Sequence, residues 1–238
     1  MKYAIFADIH GNLEALKTAE EYLNSHRLTR IVCLGDSVGY GANPNECLEW
    51  AFQHSEFHVL GNHEAAVIHE KLRFEFTDWA RIAIDWTAEK LRPELIQKIK
   101  DLPYLQIGNK MTFVHGAVHN PEQFSYLLDH SDAQKSFLAL QTPVGFFGHS
   151  HIPCCFAEEK AKGNWLSEGT TKLEKEERYL LNPGSVGQPR DRDPRLSFAI
   201  YDSDELTFEI VRLAYDNKQA AKKIRAEGLP AMLADRLL

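Results

Sequence analysis

The chain has 238 residues, 44% hydrophobic and 26% charged, with a net charge of −7. That composition suits a globular protein with one substantial core, and its acidic balance argues against a nucleic-acid partner, which needs a basic surface. No apolar run reaches the roughly 18 residues of a membrane helix, and four cysteines give no disulfide framework at this length.

The N-terminal stretch MKYAIFADIHG is too short in apolar residues for a signal peptide and soon meets Asp8 and His10, so a cytoplasmic location is expected. KYAIFA reads as the first strand. Residues 12–26 place Leu13, Leu16, Ala19 and Leu23 on one helical face, with Asn12 as cap. RIVCLG is the next strand. Residues 44–54 open on Pro44 and carry Cys47, Leu48 and Ala51 at helical spacing. FHVLG is a third strand.

From Glu64 to Asp101 no strand pattern appears. Trp79, Ile82, Ala83, Trp86 and Leu91 fall on one helical face, which marks a helical insertion at about 65–101 within a single domain spanning 1–238. A lid or partner surface is open to such an insertion, but an aromatic stripe at helical spacing favours core packing. MTFVHG, VGFFGH, RYLLNPG and LSFAIYD follow as strands. Residues 158–178 are polar and read as an exposed hairpin. The last 25 residues read as helical, with Arg225 and Arg236 on a solvated face. Strands alternating with amphipathic stretches give an α/β layered fold.

The functional signal lies at the strand ends. KYAIFA runs into Asp8-Ile9-His10-Gly11-Asn12, RIVCL into Gly35-Asp36, FHVL into Gly61-Asn62-His63-Glu64, MTFV into His115-Gly116, and VGFF into Gly148-His149-Ser150-His151. Ligands bind outside the carboxyl ends of α/β strands, and glycine there allows a sharp turn and close approach. Each motif alone is weak. Together, and all after apolar runs, they point to one site. His26, His54, His58, His69, His119 and His130 stand outside the pattern and read as ordinary core or surface residues. GHSHIPCCF looks by itself like a four-ligand zinc site. However, Cys154 and Cys155 are adjacent in what reads as a strand and face opposite ways, so they are expected to be bystanders.

This ordered set resembles the calcineurin-like metallophosphoesterases, and NPGSVGQPR at 182–190 resembles the signature of their small bacterial and archaeal branch. The resemblance implies a four-layer αββα sandwich with two packed sheets. It implies that Asp8, His10 and His151 hold one cation, that Asn62, His115 and His149 hold a second, and that Asp36 bridges them. These oxygen and imidazole donors suit Mn, Fe, Zn, Co or Ni. Two such cations outweigh the charges of Asp8 and Asp36 and draw phosphate into the pocket of an acidic chain.

The implied reaction is hydrolysis of a small phosphate ester, a phosphodiester or phosphomonoester, by metal-bound hydroxide, with His63 protonating the leaving oxygen. Where phosphoprotein phosphatases and symmetrical dinucleoside-tetraphosphate hydrolases resemble GDxVDRG, this chain has GDSVGYG. Gly39 and Tyr40 replace the Asp that orients the histidine and the Arg that clamps phosphate. Asn12, Tyr40 and Arg190 are the candidates for substrate contact, with Arg190 in the role of the missing clamp; a turn aromatic covering the core edge is an equal reading of Tyr40, and backbone support is the reading of Asn182 to Ser185.

An asymmetrical dinucleoside-polyphosphate hydrolase is the alternative activity; a phosphoprotein phosphatase or a non-catalytic metal-binding scaffold is a further one. All seven ligands and His63 are present, which favours an enzyme over a scaffold. The expected partner is a small phosphorylated substrate, with no membrane and no nucleic acid; oligomeric state is left open.

Overall fold

The computed structural model describes residues 1–159 and 163–238. Two six-stranded mixed sheets pack face to face. In the first, β1 (Lys2–Phe6), β2 (Ile31–Cys33) and β3 (Ser55–His58) run parallel. The far side of β1 pairs antiparallel with β11 (Leu196–Asp202), which continues to β12 (Thr207–Leu213) and β9 (Gly169–Lys172). In the second, β5 (Met111–Val114) and β6 (Val144–Phe146) run parallel, flanked by β4 (Leu105–Gly108) on one side. On the other side come β10 (Tyr179–Asn182), β7 (Cys154–Ala157) and β8 (Asn164–Trp165).

The strands are apolar on both faces because both faces are covered. In β1, Tyr3 and Ile5 enter the core between the sheets with Phe113, Phe146 and Phe208. Ala4 and Phe6 face outward, onto Leu16, Ala19 and Leu23 of α1 (Leu13–His26) and Trp50 of α2 (Pro44–His54). On the opposite outside, α6 (His130–Ala139) lays Ala133 and Phe137 on Phe147, Phe156 and Leu180. The order of layers is helix, sheet, sheet, helix, as the resemblance implies. No helix among the described residues is long and apolar enough to cross a membrane.

The helical region comprises α3 (Asn62–Ile68), α4 (Asp78–Lys90) and α5 (Pro93–Ile99). Ala65, Ile84, Leu95 and Ile99 are buried there with Leu48 and Leu60, so this region is packed core. Its stripe is rotated from the expected one. Ala80, Ala83, Ile84 and Thr87 are buried, while Ile82 is 51% exposed. Trp79 and Trp86 instead pack against the C-terminal helices α7 (Asn217–Ala226) and α8 (Ala231–Asp235).

Two further expectations are corrected. Residues 158–178 do not form a hairpin: β8 pairs with β7 in the second sheet and β9 with β12 in the first, so the segment crosses between sheets. Residues 160–162, part of that stretch, lie outside the described residues. And β12 forms a long strand not read from the sequence, because Glu209 and Arg212 interrupt its apolar pattern. Arg212 is buried and ion-paired to Asp191.

His58 is also not an ordinary satisfied core residue. It is 9% exposed, packs on Phe52, and neither ring nitrogen finds a partner among the described residues. Burial pushes its pKa down from 6.5 to about 4. The folded state therefore resists a proton that the unfolded chain accepts. Stability is full above the unfolded value and falls as pH drops from there toward the folded one. His58→Leu is expected to remove this dependence, gaining about 2 kcal/mol on wild type between about pH 7.5 and about pH 5 in urea unfolding. A constant difference at both pH values contradicts the assignment.

Candidate metal centre

The parallel strands β1, β2 and β3 end side by side, as do β5 and β6, and the sandwich brings both sets of ends together. The five ligand-bearing ends thus come from two sheets. Asp8, His10, Asp36, His115 and His151 are each at most 2% exposed, and His149 is 8% exposed. Asp8, His10 and His151 place donor atoms within 4.8 Å of one another, and so do Asp36, His115 and His149. A third grouping joins His10, Asp36 and His63. Asn62 enters through its Oδ1, 3.0 Å from His115 Nε2.

The backbone is bent hard to achieve this. Asp8, His10, Asp36, Tyr40, His149 and His151 all have left-handed φ between 50° and 65°. Such residues cost on the order of 1–3 kcal/mol each and persist only where surrounding structure fixes them. Here the loops are stitched together. His10 N–H donates to Asp36 O (2.8 Å), Asp8 N–H to Gly35 O (3.1 Å), and His149 N–H to Asp8 Oδ2 (3.1 Å). Gly39 lies against the His63 ring, where a Cβ would collide with it.

The hydrogen bonds fix each imidazole's tautomer. His10 Nδ1 lies 2.9 Å from Val38 O, His115 Nδ1 2.7 Å from Leu34 O, and His151 Nδ1 2.6 Å from Gln188 O. A carbonyl only accepts, so each Nδ1 carries a hydrogen; in His10 and His151, held neutral by burial, Nε2 is left as a bare lone pair facing the centre. Yet His10 Nε2 and His151 Nε2 are 3.0 Å apart, and burial holds both pKa values well below normal. Two lone pairs at that distance repel unless a cation lies between them. His115 Nε2 lies 3.0 Å from Asn62 Oδ1 and 3.2 Å from both Asp36 Oδ2 and His149 Nδ1.

The carboxylates say the same. Burial pushes Asp8 up to about 8, with Asp36 adding to the rise. Burial opposes ionisation of Asp36 too, but His115 and His63 override it and hold it well below its usual value. His115 is raised to about 9: burial lowers it, and Asp36 and Asp8 more than compensate. No Lys or Arg forms an ion pair with Asp8 or Asp36 among the described residues. Two buried carboxylates beside the lone pairs of His10 and His151 form a donor set that fits divalent cations.

The candidate substrate residues divide. Asn12 Oδ1 accepts from Ala15 N–H, and its amide donates to Gly187 O (2.8 Å) and Tyr215 Oη (3.1 Å). Its side chain is committed to holding loops, which replaces the expected substrate contact. Tyr40 and Arg190 do line the cavity beside the centre. Asn182 donates to Gly148 O, and Ser185 Oγ to Asp8 O, which is the backbone support expected of that turn. Cys154 faces the α6 side and Cys155 the inter-sheet core, and neither joins a ligand grouping.

Sequence reasoning missed Glu64. Buried and 0% exposed, it accepts from the N–H groups of Asp36 (2.9 Å), Ser37 (2.6 Å) and Val38 (3.3 Å). The signal was present: a carboxylate in the first turn of a helix, two residues after Asn62 in the GNHE motif, is poorly placed for solvent. Arg236 is exposed, as expected, and also lines the cavity, which sequence reasoning missed.

A sandwich of two mixed sheets with Asp, Asn and His converging at the strand ends defines a metallophosphoesterase-type protein. A profile of the calcineurin-like phosphoesterase superfamily domain matches residues 1–206, and the chain belongs to that superfamily. It is 40% identical to an uncharacterized protein of Methanocaldococcus jannaschii, over 98% of this chain and 96% of that one. It is similar to the crystal structure of a metallophosphoesterase from Sphaerobacter thermophilus, with 35% identity, a TM-score of 0.90, and coverage of 100% and 98% of the two chains. A hypothetical protein from Pyrococcus horikoshii shares the fold at 20% identity, with a TM-score of 0.81 over 99% and 97% of the chains.

Proposed function

We propose that this protein is a phosphoesterase that hydrolyses a small phosphate ester with two divalent cations. Asp8, His10 and His151 hold one, Asn62, His115 and His149 the other, and Asp36 reaches both. The observation that carries this is the opposition of two bare lone pairs, His10 Nε2 against His151 Nε2 at 3.0 Å, beside the buried carboxylates of Asp8 and Asp36. When bound, the cations supply Lewis acidity, acidifying water and neutralising charge on the phosphoryl oxygens.

The protein's own residues do the rest. The carbonyls of Val38, Leu34 and Gln188 fix the ring orientations, which raises ligand basicity. Glu64 is a positioning residue that ties the Asp36 loop to α3. His63 donates a proton to the departing oxygen. Asp36 Oδ2 lies 3.9 Å from its Nε2, but its Nδ1 has no hydrogen-bond partner among the described residues. Its ring is instead caged edge-on by His10 (4.7 Å), Tyr40 (4.5 Å) and Phe76 (4.9 Å). The aromatic cage takes the place of the Asp missing from GDSVGYG.

The test is a panel of p-nitrophenyl phosphate, bis-p-nitrophenyl phosphate and adenosine diphosphate, assayed with each metal and with chelator. Turnover that needs a divalent transition metal and is lost on chelation is expected. Absence of metal-dependent turnover on every member contradicts the proposal. Glu64→Gln is expected to weaken metal affinity about 10–100-fold while leaving the sheets intact, as loss of support behind a ligand does. Competition with a metal indicator dye measures it, and unchanged affinity removes Glu64 from the site.

A further inference from the structure

The cavity beside the centre has a volume of about 520 Å³, the size of a drug-like ligand rather than of a bare phosphate. Asn62 and His149 of the centre line it, together with two arginines from distant parts of the chain, Arg190 and Arg236. Arg30, Arg178, Arg195, Arg212 and Arg225 each close an ion pair with a carboxylate. Arg190 and Arg236 form none among the described residues. Glu75, the one carboxylate on the cavity wall, is exposed and pairs with neither.

Both guanidinium groups are held by aromatic faces. Arg236 sits 4.3 Å from the Trp79 ring centroid and Arg190 6.0 Å from that of Tyr40, while the two rings lie 5.6 Å apart. This sets two cations side by side. Burial and the nearby charge of Arg190 push the pKa of Arg236 down, the mark of like charges held together without a counter-ion. Arg190 Nη2 donates to Gln188 Oε1 at 3.2 Å, while its Nε is buried with no hydrogen-bond partner among the described residues. Neighbouring guanidinium groups without a carboxylate partner form an anion site, because the planar fork matches phosphate oxygens.

Arg236 lies on the C-terminal helices, beyond residues 1–206 that match the superfamily profile. α7 and α8 bring it to the cavity by burying Ala221, Ile224 and Leu233 against Ala80 and Ala83 of α4.

We propose that Arg190 and Arg236 clamp a second phosphate of the substrate, beyond the one at the metal centre, so that the preferred substrates are organic phosphoanhydrides of the nucleoside diphosphate kind. This rests on the phosphoesterase reading for what happens at the centre, and on the cavity alone for the clamp. Tyr126 adds a platform for a flat organic group. It is 47% exposed and stacks on His149 at 3.9 Å with an interplanar angle of 21°.

The test is calorimetry on the metal-loaded full chain with two probes, AMP and the non-hydrolysable α,β-methylene analogue of ADP. Wild type is expected to favour the two-phosphate probe by about 10-fold, and Arg236→Ala to bring the two within about 2-fold, as loss of a charge-assisted contact does. Arg236 is on the surface, and a melting curve checks that the variant folds. No preference in wild type, or the same preference in the variant, overturns the clamp. If that occurs while p-nitrophenyl esters are turned over, the phosphoesterase reading survives it. If the preference is seen but no ester or anhydride is hydrolysed, the clamp stands and the phosphoesterase reading falls.

Discussion

Replacing Asp36 with alanine is expected to cost the largest share of activity, at least about 10²–10³-fold in kcat, together with metal from the centre. The reason is position. Asp36 Oδ2 lies 3.2 Å from His115 Nε2, 3.7 Å from His10 Nε2 and 3.9 Å from His63 Nε2, so one carboxylate faces ligands of both cations. Its Oδ1 also accepts from His63 N–H at 2.9 Å, which joins the start of α3 to the centre. On the two-cation proposal, its loss leaves Asp8 as the only carboxylate among the proposed ligands. Emission spectroscopy for metal content and steady-state kinetics on bis-p-nitrophenyl phosphate read the two effects. A variant that retains both cations and near wild-type kcat removes Asp36 from the bridging position.

The second large effect concerns His63, and it separates two roles that the geometry brings close. As proton donor, His63 matters in proportion to the basicity of the leaving oxygen. His63→Ala is therefore expected to lower kcat by about 10²–10⁴ on an alkyl or phenyl ester and by less than about 10-fold on a dinitrophenyl ester. Metal content stays at the wild-type level. As a ligand, through its grouping with His10 and Asp36, His63 would instead take metal with it, and both substrates would suffer alike. A uniform loss accompanied by missing metal contradicts the proton-donor role.

The residues that converge on the centre were legible in the sequence because metal chemistry restricts candidates to few residue types. Their placement after apolar runs beside glycine follows from how strands end. What lay beyond reach is what the chain does between those points. The left-handed φ of Asp8, His10, Asp36, His149 and His151 leaves no mark in a pattern of apolar and polar residues. Nor does the division of the five ends between two sheets, since each strand reads alike wherever it pairs.

Errors elsewhere have similar causes. The segment 158–178 read as a hairpin because local polarity reports exposure and not partner. In α4 the pattern marked a helix but misplaced its buried face, because Trp79 and Trp86 pack on distant C-terminal helices. Charged Glu209 and buried Arg212 hid β12. Arg236 is exposed as read, but its place on the cavity wall was hidden because only α7 and α8, folded back on α4, carry it there.

The centre itself is tested most directly by counting cations. The full chain, purified without chelator, incubated with excess Mn²⁺ and freed of unbound metal, is analysed for metal per protein by mass spectrometry. The donor set predicts two cations per chain, both lost on exhaustive chelation and restored on reloading. One cation or none per folded chain would contradict the reading of Asp8, His10, Asp36, Asn62, His115, His149 and His151 as a two-cation site.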